Sequence, residues 1–178
     1  MAAPVAGMFE RVDAFEQHVC RRLNRGCRRP AVRNLFRVVS RLGDGLFWYV
    51  LMLMLPVLYG HAGLVPAVQM GAMALVGIGI YRLLKERLVR ERPYITFDGI
   101  LAGTPPLDRY SFPSGHTLHA VSFTTIGCAH FPALGWVLVP FALMVAASRV
   151  VLGLHYPSDV LAGALIGGTL AEIGLALA

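Results

Sequence analysis

The chain has 178 residues, of which 56% are hydrophobic and 15% charged, against roughly 45–50% and about 25% in an ordinary soluble domain. That length allows one domain, and the composition excludes both a freely soluble protein and a polar disordered module. Sixteen Lys and Arg against ten Asp and Glu give a net charge of +6, so where the cations sit decides between nucleic acid, an anionic membrane surface and a phosphorylated substrate.

Residues 1–44 form a basic segment with arginines at 11, 21, 22, 25, 28, 29, 33, 37 and 41, which cannot span lipid. Phe9, Val12, Phe15 and Val19 recur at helical spacing, as do Val32, Leu35, Phe36 and Val39. Two amphipathic helices are predicted, lying on a membrane surface or packed on the end of a bundle. The segment lacks the short apolar core and small-residue cleavage site of a secretory signal, and is expected to stay unprocessed.

Residues 45–178 read as a transmembrane unit. Gly45 to Tyr81 and Tyr110 to Ser148 contain no formally charged residue, and each run exceeds the roughly 20 residues one span needs. The first breaks at Gly60-His61-Ala62-Gly63, the second at His130-Phe131-Pro132, both with helix-ending chemistry. A third stretch, Val160 to Ala178, holds only Glu172. The expectation is an all-α integral-membrane bundle of about five helices, near 45–61, 65–83, 115–131, 134–152 and 158–177.

Counting passes puts the N-terminal segment and the loops at 82–114 and 149–158 on one face, with all sixteen Lys and Arg. The positive-inside rule then predicts a multi-pass protein of the cell (inner) membrane with that face in the cytoplasm. Cys20, Cys27 and Cys128 have neither zinc-ligand nor CxxC spacing and are expected as free thiols. No Walker loop, GxGxxG fingerprint or HExxH helix occurs.

The residues with chemistry fall in the two loops of the basic face. Lys85 and Arg92 are seven apart, nearly two turns of a helix, and are expected to project on one side toward a single anion. Taken alone, such a basic stripe is usually a headgroup anchor. Pro113-Ser114-Gly115-His116 stands just before the third span, where the amides of Ser114 and Gly115 are expected to be free to hold phosphate oxygens, with His116 beside them. By itself it reads equally as a capping turn. Arg149 offers a planar fork for two oxygens. His155 follows at the membrane edge, and Asp159, four residues on, is expected to accept its ring N–H from the same helical face.

In order, the three segments Lys85-x6-Arg92-Pro93, Pro113-Ser114-Gly115-His116 and Ser148-Arg149-x5-His155-x3-Asp159 resemble the signature of the type 2 phosphatidic acid phosphatase (PAP2) superfamily, over roughly residues 43–170. The resemblance implies that His155 attacks phosphorus to give a phosphohistidine, that Asp159 orients it and that His116 protonates the leaving oxygen. It implies that Lys85, Arg92, Arg149, Ser114 and the Gly115 amide hold the phosphoryl oxygens, with no metal and no cofactor. Phosphoryl transfer needs mainly positioning and charge neutralisation, which three cations and helix-end amides supply.

The leading expectation is thus a lipid phosphatase whose substrate comes from the bilayer: phosphatidylglycerophosphate, phosphatidic acid, or a polyprenyl phosphate or pyrophosphate. Alternatives are an undecaprenyl pyrophosphate phosphatase at the outer surface, a lipid-to-lipid phosphotransferase, a vanadate haloperoxidase, and a non-catalytic lipid-binding or translocating protein. The apolar spans count against the haloperoxidase, and the complete set of catalytic residue types against the non-catalytic reading. Nucleic acid is not expected, because membrane edge and phosphate site account for nearly every cation. Glu172 lies about 20 Å along the helix axis from Asp159; it is set aside together with the far-end His61 and His130, and His119 is expected to serve packing.

Overall fold

The computed structural model describes residues 3–106 and 108–177, with side chains from residue 14 onward. Eight α-helices follow one another and no strand occurs among the described residues. They are α1 (Ala3–Asn24), α2 (Pro30–Arg41), α3 (Phe47–Tyr59), α4 (His61–Leu88), the single turn α5 (Pro93–Thr96), α6 (Gly115–His130), α7 (Gly135–Val151) and α8 (Pro157–Ala176).

Four segments are long and apolar enough to cross a bilayer: Pro30–Tyr59, His61–Thr96, Pro132–Val151 and Pro157–Ala176. Where five spans are expected from the sequence, the fifth, α6, has 16 residues, about 24 Å at 1.5 Å per residue. It is short because it is enclosed: Leu118, Ala120 and Ile126 are fully buried, so α6 need not meet lipid along its length. The outer helices instead expose Leu53, Leu75, Leu143, Leu161, Leu165 and Trp136. An apolar exterior around an apolar interior is the pattern of a multi-pass membrane protein.

Helix contacts within the bundle depend on small residues. A Cβ at Gly163 would stand 2.5 Å from the Ser114 carbonyl oxygen, and one at Gly167 would overlap the carbonyl of Leu118. This Gly-x3-Gly stripe lets α8 approach the α6 backbone directly. A core of Trp48, Leu55, Met70, Phe123, Ile126 and Leu138 joins α3, α4, α6 and α7. At the far end Gln69 on α4 donates to the Gly174 carbonyl of α8 (3.0 Å) and pairs with His130 of α6 (2.7 Å), so the three helices are tied where their ends meet.

The basic N-terminal helices pack on the opposite end of the bundle. Cys20, Asn24 and Cys27 are buried there, and Asn24 donates to the carbonyls of Leu101 and Val151 while accepting the Leu101 N–H. All three cysteines are free thiols. Helix α2 runs into α3 through a wide turn at Leu42–Leu46, kinked at Gly45 with φ +138°, a value that L side chains rarely adopt. The kink turns Asp44 toward the space between α3, α4 and α6.

Candidate active site

A cavity of about 730 Å³ opens between α3, α4 and α6 at the basic end. One wall is apolar, made by Trp48, Met52, Ala74, Ile78 and Phe123; the floor carries Lys85, Arg92, His116, Arg149 and His155. Of the eight candidate site residues, Lys85, Arg92, Gly115, His116, Arg149 and His155 line this one space, and Ser114 and Asp159 do not.

Lys85 and Arg92 converge, but not as two turns of one helix. Helix α4 ends at Leu88, and Arg92 is the extended residue before α5, with φ −82° and ψ 151°. Pro93 explains the break, since the residue before proline is steered to extended backbone. The two cations meet instead on Asp108. Lys85 Nζ donates to Oδ2 at 2.6 Å and Arg92 Nη2 to Oδ1 at 2.8 Å. Burial alone would raise the Asp108 carboxyl, but the hydrogen bond and charge of Lys85, with those of Arg92, hold it below the ordinary carboxylate value.

Ser114 is committed elsewhere than the sequence led one to expect. Its N–H donates to the Asp159 carbonyl (3.1 Å), and its hydroxyl caps α6 by accepting the Thr117 N–H and pairing with the Thr117 hydroxyl. Fully buried, it sits behind the cavity wall. That leaves the amides of Gly115 and His116 as the open donors of the α6 N-terminus among the described residues. His116 Nε2 lies 3.4 Å from Asp44 Oδ1, a neighbour that the kink supplies.

Arg149 is buried, donates through Nη1 to the Ser40 hydroxyl, and leaves its Nε without a partner. A buried guanidinium with an unused donor is a group that can bind an anion. His155 lies in the tight connection from α7 to α8, not on a helix with Asp159, so the expected shared helical face is replaced by a loop-to-helix contact. Its Nδ1 is 3.5 Å from Asp159 Oδ2, a charge contact and not a hydrogen bond. Its Nε2 faces Arg92 Nη1 at 3.3 Å, and since a guanidinium has only donors, Nε2 carries the lone pair and Nδ1 the proton. Burial first, then the charges of Arg149, Arg92 and Lys85, push this imidazole well below its ordinary value. The ring is neutral at pH 7, with its lone pair directed at Arg92 on a cavity floor that also carries Lys85 and Arg149.

A phosphate drawn to those cations would therefore meet a neutral imidazole lone pair, which is the arrangement for nucleophilic phosphoryl transfer. A model of the PAP2 superfamily matches residues 66–177. The chain belongs to the PAP2 superfamily. It is 32% identical over 161 residues to the lipid A 1-phosphatase of Rhizobium etli, covering 79% of this chain and 69% of that enzyme. It is 38% identical over 104 residues to the decaprenylphosphoryl-5-phosphoribose phosphatase of Mycobacterium tuberculosis, covering 58% and 56%. The crystal structure of Aquifex aeolicus LpxE superimposes with a TM-score of 0.74 at 26% identity, over 89% of this chain and 93% of that one. This PAP2 chain is a multi-pass membrane enzyme of the lipid phosphatase type.

Sequence reasoning passed over two residues that line this PAP2 site, Asp44 and Asp108, and two that stand behind it, Arg90 and Glu16. Asp44 had a signal, an isolated acid between two glycines at the edge of an apolar run. Glu16 and Asp108 had none, since nothing in their spacing relates them to the three motifs.

Proposed function

We propose that this chain hydrolyses the terminal phosphate of a membrane lipid through a phosphohistidine. His155 Nε2 attacks phosphorus in line with the leaving oxygen, the P–O bond to the lipid breaks, and His116, entering the cycle as the imidazolium beside Asp44, delivers its proton to that oxygen. Water then attacks the phosphohistidine and gives one proton to His116, the P–N bond to His155 breaks, and inorganic phosphate leaves with His155 neutral and His116 protonated again. Lys85, Arg92, Arg149 and the Gly115 amide hold the phosphoryl oxygens and neutralise the charge that builds on them. Ser114 acts one step back, as the cap that fixes the start of α6, and Asp159 orients the His155 ring.

The convergence of Lys85, Arg92, Arg149 and His155 at the floor of one half-apolar cavity carries this reading. A phosphate at the floor leaves a lipid body to lie against Trp48, Met52 and Ile78, between helices that themselves face the bilayer. The two relatives named above act on lipid A and on a decaprenyl-linked phosphoribose, so phosphate on a large lipid is the shared chemistry. The nine N-terminal arginines favour an inner-membrane protein with the cavity facing the cytoplasm, where phosphatidylglycerophosphate is a suitable substrate.

The test is phosphate release by detergent-purified protein on phosphatidylglycerophosphate, phosphatidic acid, and undecaprenyl phosphate and pyrophosphate, with and without EDTA. Release that survives EDTA, is inhibited by vanadate and is lost in His155→Ala is expected. A strict divalent-metal requirement, or full activity in His155→Ala, would overturn the mechanism.

A further inference from the structure

Behind the cavity lies a second polar cluster that touches no substrate space. Asp159 is fully buried, and both of its oxygens are occupied. Oδ1 accepts from Arg90 Nη1 at 2.7 Å, while Oδ2 accepts the Tyr156 N–H at 2.8 Å and faces His155. Arg90 Nη1 also donates to the Ser158 hydroxyl at 2.7 Å, and Nη2 donates to Glu16 Oε2 at 2.6 Å. The other oxygen of Glu16 accepts the Ser158 N–H at 2.8 Å. The Arg90 guanidinium lies 3.8 Å from the centre of the Tyr156 ring, which closes the remaining side.

Three segments distant in sequence thus meet at one guanidinium. Glu16 comes from α1 in the N-terminal basic segment, Arg90 from the extended stretch after α4, and Asp159 from the first turn of α8. We infer that Arg90, held by Glu16, is a positioning residue for the Asp159–His155 pair, which makes helix α1 part of the catalytic apparatus and not only a membrane-surface anchor. A carboxylate with one oxygen pinned by a bidentate-held guanidinium cannot rotate, so its second oxygen keeps facing Nδ1 of His155. The Nε2 lone pair is thereby kept on the line of attack. Glu16 acts twice, orienting Arg90 and closing the α8 N-terminus through Ser158. The inference rests on the assignment of His155 as the nucleophile.

The experiment compares wild type, Arg90→Met, Arg90→Lys, Glu16→Gln and the Arg90→Met/Glu16→Gln double variant, on phosphatidylglycerophosphate in detergent micelles, with vanadate inhibition measured on each. Arg90→Met should lower kcat about 10- to 100-fold, the scale set by misplacing a reacting group by about an ångström. KM and the vanadate inhibition constant should stay within about twofold, since the phosphate-binding cations are untouched. Arg90→Lys should recover part of kcat. Glu16→Gln should show a smaller loss of the same kind, and adding it to Arg90→Met should cost nothing more, because the Gln oxygen still accepts the Ser158 N–H and only the hold on Arg90 is removed.

Unchanged kcat in Arg90→Met, an equal loss in vanadate affinity, or additive losses in the double variant would overturn the inference. If Arg90→Met does not fold, the isosteric Glu16→Gln variant carries the same kcat-against-KM test. His155→Ala run alongside separates the two levels. Activity retained there overturns the nucleophile assignment itself, whereas a dead His155→Ala with a fully active Arg90→Met overturns only the positioning role.

Discussion

The Asp108 carboxylate bridges Lys85 Nζ and the Arg92 guanidinium, at 2.6 and 2.8 Å, inside the cavity that both cations line. An internal anion thus holds two of the three cations proposed to bind the incoming phosphate. Because the hydrogen bonds and charges from Lys85 and Arg92 overcome burial and keep Asp108 below the ordinary carboxylate value, it remains charged from neutral pH down through the ordinary carboxylate range. On the proposed role of these cations, Asp108 would compete with the phosphate throughout that window, and the competition would end only as pH falls through its lowered value. Asp108→Asn should therefore tighten inhibition by vanadate at pH 7. Its side chain is 40% exposed, and exposed pairs are worth about 0.2–1 kcal/mol, so the gain should reach at most about fivefold. Weaker vanadate inhibition in the variant would mean that Asp108 shapes the cation pair more than it competes with the ligand.

Apolar run lengths made the bundle legible from the sequence. The expected spans 45–61 and 134–152 sit within a few residues of α3 and α7, because bilayer thickness and Gly or Pro breaks fix helix ends in lipid with little help from tertiary contacts. The motif residues were legible as residue types but not as geometry. Pro93 breaks the helix between Lys85 and Arg92, and the α7–α8 connection takes His155 off the helix that holds Asp159. In both cases the side chains still converge, through partners far away in sequence. Asp108 and Glu16 could not be read at all, since a half-buried acid in a loop and an acid on an amphipathic helix look the same as solvated ones until the fold places a guanidinium beside them.

The environment of His155 gives a pH dependence. Burial, then the charges of Arg149, Arg92 and Lys85, depress the imidazole, so on acidification it stays neutral below the ordinary histidine value near 6.5. The kcat/KM profile, which reports the free enzyme, should show no loss from this group as pH falls from 7 through 6.5, once corrected for the substrate's own second ionisation near pH 6. The acid limb belongs below that point. A limb centred on 6.5 would mean that the attacking nitrogen is not the buried Nε2 of His155.

The glycine stripe on α8 gives a stability prediction with its own control. In an unhindered helix, Gly→Ala gains about 0.8–1 kcal/mol. At Gly168 a Cβ meets only Val121 Cγ1 at 3.9 Å, so Gly168→Ala should keep or raise the Tm in detergent. At Gly163 the obstacle is the Ser114 carbonyl oxygen at 2.5 Å, backbone that cannot swing away. Gly163→Ala must push α8 off α6, at a cost of about 1–3 kcal/mol for overpacking, and should lower the Tm. It should also lower kcat, because α6 carries His116 and α8 carries Asp159. Equal melting temperatures for the two variants would show that the α6–α8 approach is looser than this packing requires.

The proposed orientation rests on where the arginines lie and what they are used for. The turn at Gly60, the end of α6 at His130 and the end of α8 share one end of the bundle, as the contacts of Gln69 with His130 and Gly174 require. The N-terminal helices and the cavity occupy the other. Arg21, Arg22, Arg25, Arg28 and Arg29 are exposed at that cavity end and none of them lines the cavity, so their number is a topological signal independent of catalysis. They should hold the cavity face in the cytoplasm and send the C-terminus out. A reporter enzyme active only outside the cytoplasm, fused after Ala178, should therefore be active, and a fluorescent protein that matures only in the cytoplasm should stay dark at the same position. The reverse pattern would place the cavity on the outer surface, where a polyprenyl pyrophosphate becomes the better substrate and the exposed arginines would need another partner.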